Sequence, residues 1–160
     1  MLKRLLGWLW RSAPKVFRRW GVRLTQPRFM VTAGAVVCDE RGRVLLLKHV
    51  FRKGSGWGIP GGFLNEGEHP EDALRRELRE EVGAELDAAE LAFARTLQRP
   101  QQIEIIFRCS MRAAAVTEET ESFEIKRAGW FEADALPPEL GADQRRIIRR
   151  VLGGGAPRLD

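Results

Sequence analysis

The stretch from Gly61 to Ala84, GGFLNEGEHPEDALRRELREEVGA, constrains the fold more than any other part of the chain. It opens on a glycine pair. Pro70 suits the first turn of a helix, where a missing N–H costs nothing. Glu71 and Asp72 favour the positive end of that helix, and Gly83 suits its left-handed stop. A helix over 70–82 is therefore expected, preceded by a glycine-rich loop. At about 100° per residue, Leu74, Leu78 and Val82 form a stripe that can pack on a sheet. Glu77, Glu80 and Glu81 fall within an adjoining arc of about 100°. Carboxylates three and four residues apart repel each other, and a helix that only had to be soluble would interleave its signs. The cluster becomes favourable once a hard divalent cation binds it. Mg²⁺ takes oxygen ligands and keeps water and substrate phosphates in its shell.

Apolar patterning fills in the surroundings. MVTAGAVVCD reads as a strand, ERG as a turn and RVLLLKHVF as a second strand, so a hairpin is expected. RKGSGWGIPGG reads as a loop. Three more strand-like runs follow at roughly 89–98, 102–113 and 123–131, then a turn at DALPPEL and a helix at ADQRRIIRRVL. Strands mixed with two helices predict a layered α/β domain. The expected organisation is a basic amphipathic segment over 1–28, a domain over 29–152 and a flexible tail over 153–160.

The first segment matters because the charge is uneven. The chain carries +5, but residues 1–28 hold eight bases and no acid, so the remaining body is −3, the difference between +5 and +8. The segment reads as two short amphipathic helices broken at Pro14. No apolar run there approaches the roughly 20 residues that span a bilayer, and the pattern fits a signal peptide poorly. Three roles stay open: contact with an anionic membrane surface, packing on the domain or across a homodimer, and contact with nucleic-acid phosphates, the least favoured of the three. Cys38 and Cys109 show no metal or redox spacing and read as reduced strand residues of a cytoplasmic protein, with a peripheral membrane position open. With only His49 and His69, a multi-histidine metal site is excluded.

Gly62, Glu68, Arg76-Glu77-Leu78, Glu80-Glu81 and Gly83-Ala84, at these spacings, resemble the Nudix hydrolase signature, with every polar and glycine position filled and Ala84 smaller than the usual apolar residue. GWGIPGG before it and EIKRAGWFEADALP after it extend the resemblance over roughly residues 30–150. The resemblance implies a Nudix-type α/β/α sandwich around a mixed β-sheet. It also implies Mg²⁺- or Mn²⁺-dependent hydrolysis of a nucleoside diphosphate linked to another group. Glu77, Glu80 and Glu81 match the metal-binding and base-supplying glutamates, Glu77 acting as ligand or as base. Gly62 matches a position whose backbone carbonyl completes the metal shell. Glu68 and Arg76 match a pair that orients loop and helix. Glu124 matches a downstream extra ligand or base, so Glu77, Glu80 and Glu124 are the catalytic candidates.

Plainer alternatives stand beside these. Glu124 could be an exposed edge-strand residue, and Glu118, Glu119 and Glu121 compete with it as base. His49 reads as a packed or surface histidine, and Trp57 and Trp130 as core or sheet-edge packing. Lys48, Arg52 and Lys53 are candidate phosphate contacts or simply solvated bases. Subgroup marks point weakly to ADP-ribose or nucleotide-sugar substrates. Pro100 lies near a position associated with ADP-ribose hydrolases, and the chain lacks any tyrosine, a mark of dinucleoside polyphosphate hydrolases. The extended NADH motif and the coenzyme A motif are absent. Nucleoside triphosphates stay open, as do 5′-end RNA pyrophosphohydrolysis and a non-catalytic nucleotide-binding role.

Overall fold

The computed structural model describes residues 8, 11, 14–51, 54, 56–116 and 122–154. Its strands are β1 (Met30–Cys38), β2 (Val44–His49), β3 (Trp57–Gly58), β4 (Gly61–Phe63), β5 (Ala88–Leu97), β6 (Gln102–Ser110) and β7 (Ile125–Phe131). Its helices are α1 (Lys15–Thr25), α2 (Pro70–Val82) and α3 (Ala142–Leu152). The earlier of the two expected N-terminal helices, and tail residues 155–160, fall largely or wholly outside the described residues.

The seven strands form one mixed sheet, with β1 parallel to β6 and its other pairs antiparallel. Strand alternation explains why β1 and β2 read as continuous apolar runs. Ala33, Ala35, Val37, Leu45 and Leu47 enter one core cluster with Leu74 and Leu78 of α2. Val36, Val44 and Leu46 enter a second with Ile147, Ile148 and Val151 of α3. Both faces are covered by a helix, which is the expected α/β/α sandwich. Leu74 and Leu78 are fully buried, each stabilising by about 1.5–3 kcal/mol relative to exposure.

The expected hairpin forms, but its two strands stay paired only near the turn. β1 and β2 pair beside their turn, at Cys38↔Val44. Asp39 Oδ1 closes that turn by accepting from the backbone N–H groups of Arg41 and Arg43. Farther on the two strands diverge, and the segment expected to be a loop enters the gap. β3 pairs with β2 and β4 with β1. Glycine permits the close approach: a Cβ at Gly61 would lie 2.2 Å from the Ala33 carbonyl oxygen, and Gly61 has φ +141°. The strand expected over 102–113 also ends early, at Ser110, before a short 3₁₀ turn over Ala113–Ala115.

The ends of α2 follow its sequence. Pro70 occupies the first turn with Glu71 and Asp72, and Gly83 at φ 68° donates its N–H to the Arg79 carbonyl. On the opposite face, Arg95 of β5 holds Glu104 of β6 and, through both terminal nitrogens, Asp143 of α3. Gln144 Oε1 accepts from the Ile59 N–H at 2.9 Å. That bond ties α3 to the turn between β3 and β4, which carries the glycine pair.

Candidate active site

Four pieces of chain meet under one end of α2. β2 brings His49, β4 brings Gly61, Gly62 and Phe63, α2 brings Arg76, Glu77, Glu80 and Glu81, and the run before β7 brings Ser122, Phe123 and Glu124. They line an open cleft of about 640 Å³. Leu74 and Leu78 anchor α2 on the sheet, which turns the neighbouring carboxylate arc toward β4. Glu81 lies deepest, only 7% exposed, with its Oε1 4.0 Å from His49 Nδ1. Glu80 stands at the rim, its side chain well exposed.

Arg76 organises the loop ahead of the helix. Its Nε and Nη2 donate to the two carboxylate oxygens of Glu68 at 2.9 and 3.1 Å, a two-point grip. Nη2 also donates to the Phe63 carbonyl at 3.0 Å. Nη1 reaches Glu77 Oε1 at 2.8 Å and Glu80 Oε2 at 3.4 Å. Glu68 accepts a further bond from the Asn65 N–H at 2.8 Å. The Arg76 guanidinium, helped by that N–H, holds the Glu68 carboxyl below its ordinary range. Loop 63–68 is thereby fixed to α2.

The residues suit a hard divalent cation. Among the described residues no three His, Cys, Asp or Glu side chains stand ready-made as a metal-holding group. Two of the three helix carboxylates are held instead by Arg76. The donors are nevertheless all oxygens, from three carboxylates and a nearby glycine backbone, the set that Mg²⁺ and Mn²⁺ prefer. Space is kept for them too. A Cβ at Gly62 would fall 2.3 Å from the Glu77 carboxyl carbon, so position 62 brings bare backbone up to that carboxylate.

Some candidates lie elsewhere. Lys48 does not line the cleft; alternation along β2 turns it from the α2 side, and its Nζ lies 5.7 Å from the centre of the Trp57 ring. Trp57 packs edge-on against Phe131, at 5.2 Å between ring centres. Arg52, Lys53, Glu118, Glu119 and Glu121 lie outside the described residues. Conversely, His49, read as a packed or surface residue, faces the cleft. Its parity with Leu45 and Leu47, both on the α2 side, was the available signal. Phe63, Asn65 and Phe123 also line the cleft without having been singled out.

Comparison with known proteins agrees with this architecture. The sequence model of the NUDIX domain family matches residues 28–151. The chain is 31% identical over 124 residues to the NAD-capped RNA hydrolase NudC of Chromobacterium violaceum, covering 76% of this chain and 46% of that protein. It is 41% identical over 64 residues to the RNA pyrophosphohydrolase of Actinobacillus succinogenes, covering 40% of this chain and 32% of that one. The chain thus spans less than half the length of these two relatives. Its fold resembles the NUDIX domain of Shewanella oneidensis NrtR, solved with ADP ribose. The TM-score is 0.70 at 20% identity, covering 88% of this chain and 98% of that one.

Proposed function

The chain belongs to the NUDIX family, and from that premise we propose that it hydrolyses the pyrophosphate bond of a nucleoside diphosphate linked to another group, with Mg²⁺ or Mn²⁺ as cofactor. The observation that carries this reading is the gathering of Glu77, Glu80, Glu81 and Glu124 around one cleft beside the bare backbone of Gly62. Glu80, Glu81 and the Gly62 carbonyl are the assigned holders of the cation. When bound, such an ion neutralises charge on the phosphate oxygens and acidifies a water. Glu77, at the glycine backbone, and Glu124, from the β7 side, are the two carboxylates placed to ligate further or to take the water's proton. Arg76 keeps the loop and the helix in register while the substrate binds. Phe63 and Phe123, both exposed at the cleft, offer ring faces to a nucleobase. ADP-ribose and nucleotide sugars lead the substrate classes.

A second reading, removal of pyrophosphate from RNA 5′ ends, is favoured by the relatives' names and by the basic first 28 residues. A non-catalytic binding role is disfavoured because no acidic position of the signature is lost.

The test is product release from a panel of nucleoside diphosphate derivatives with Mg²⁺ or Mn²⁺, wild type beside Glu81→Gln. Turnover of one compound, lost in the variant, is expected. Turnover of RNA 5′ ends alone, weakened by salt and by deletion of residues 1–28, would move the assignment to RNA. Silence on both would remove the enzymatic reading.

A further inference from the structure

Helix α1 lies ahead of the catalytic domain and plays no part in the cleft. Its apolar residues, apart from Val22 on the other side of the helical turn, are Val16, Phe17, Trp20 and Leu24. At the helical period they fall within one arc of about 100°. Instead of packing into the core, all four are exposed, between 60 and 77%. A soluble helix does not present a tryptophan, a phenylalanine and a leucine on one stripe to water without an occupant for it.

The charge of the segment identifies the occupant. Residues 1–28 carry eight bases and no acid. Lys15 and the positions of Arg18, Arg19 and Arg23 lie around the rest of the helical turn, outside the apolar arc. A second copy of this segment would set eight positive charges against eight. A nucleic acid would satisfy the bases and leave the apolar stripe in water. An anionic bilayer takes both at once, apolar side chains at the acyl boundary and bases at the headgroup phosphates. The helix has 11 residues, about 16 Å at its rise per residue, which suits lying in the interface and falls far short of a span. No helix of the described residues is long and apolar enough to cross a membrane. Trp20 supplies a ring of the kind enriched at membrane interfaces.

We propose that α1 is an interfacial helix that seats the protein on an anionic lipid surface through Val16, Phe17, Trp20 and Leu24. The proposal is independent of which pyrophosphate the cleft cleaves.

The test is cosedimentation of the full chain with phosphatidylcholine vesicles, and with vesicles in which roughly a third of the lipid is phosphatidylserine. Binding is expected on the anionic vesicles, weaker by more than about tenfold on the neutral ones, and reduced by added salt. Trp20→Ser with Leu24→Ser should cut binding by more than about tenfold. It should leave the thermal midpoint and any hydrolysis of soluble substrate unchanged. The proposal is overturned if the intact chain stays in the supernatant, or if the double variant binds as wild type does. It is overturned equally if the stripe proves to cover something else. A wild-type dimer that the double variant dissolves, without vesicle binding, would assign it to a second copy. A lowered thermal midpoint of the variant, without vesicle binding, would assign it to the domain.

Discussion

The Glu77 carboxylate occupies the space that a side chain at position 62 would need: a Cβ built on Gly62 lies 2.3 Å from both Cδ and Oε1 of Glu77. The obstacle is the far end of a flexible side chain, so Gly62→Ala is expected to fold, with Glu77 displaced. Displacing a catalytic candidate by about 1 Å costs on the order of 10²-fold in rate. Gly62→Ala should therefore keep its thermal midpoint within a few degrees while kcat falls about 10²-fold. Equal kcat in wild type and variant would separate Glu77 from the chemistry.

The neighbouring glycine should fail differently. At Gly61 the added Cβ meets backbone, 2.2 Å from the Ala33 carbonyl oxygen and 2.7 Å from the Gly34 Cα, at φ +141°. No side-chain movement relieves that contact. Gly61→Ala should cost at least about 2 kcal/mol of stability, read as a lowered denaturant midpoint, because β4 must leave β1.

The grip of Arg76 on Glu68 gives stability a dependence on pH. The folded carboxyl of Glu68 titrates below its ordinary range because Arg76 and the Asn65 N–H favour the charged form. Its contribution is fully present above the unfolded value, about 4.3, and is lost as pH falls through the lower folded value. Glu68→Gln should be less stable than wild type at neutral pH, and the gap should close on acidification. Thermal midpoints of the two proteins between neutrality and about pH 3 check this. A gap that stayed constant would show that the carboxylate's charge is not what Arg76 holds.

How much of this was legible in the sequence depends on whether the cause was local. Pro70 and Gly83 punctuate α2, and it runs between them as expected. α3 occupies the expected ADQRRIIRRVL segment. Strands β3 and β4 look like loop in the sequence because they have two and three residues and are rich in glycine. They are held by backbone pairing to β1 and β2, which no side-chain pattern announces. Lys48 is a candidate phosphate contact at the cleft because it precedes the glycine loop in sequence. Strand parity sends it away and brings His49 in, a choice readable only once α2 is known to cover the Leu45–Leu47 side. The Glu68–Arg76 pair came with the resemblance to the signature, whereas the approach of Glu77 to Gly62 and the place of Phe123 at the cleft come only through the fold.

Glu81 is the carboxylate on which burial and the proposed metal binding meet. A carboxylate 7% exposed has given up most of its hydration, and a bound cation offsets that loss. Mg²⁺ or Mn²⁺ in excess should raise the wild-type thermal midpoint by a few degrees through mass action. Glu81→Gln should lose that rise and lower kcat by about 10²- to 10⁴-fold, while its metal-free midpoint stays at or above that of wild type. A metal-induced rise that survives in the variant would remove Glu81 from the ligand set.

The two cysteines yield a last expectation, at alkaline pH. Cys38 and Cys109 are free and belong to core clusters on opposite sides of the sheet, so a bond between them would have to pass through it. Burial pushes the Cys109 thiol up to about 12, and burial likewise raises Cys38, the Arg108 charge opposing it. The thiolate is the nucleophile, so native protein at pH 8 should resist Ellman's reagent and show two thiols once guanidinium is added. The same shifts lower stability above the unfolded thiol value of about 8.5, because the unfolded chain ionises first and the folded one keeps its protons. The loss should continue as pH rises toward the folded value of Cys109, about 12. Cys109→Val keeps an apolar side chain in the core and removes the ionisation. Its thermal midpoint should therefore fall less steeply than that of wild type above about pH 8.5. Parallel curves would show that the Cys109 thiol ionises as readily in the folded protein as in the unfolded chain.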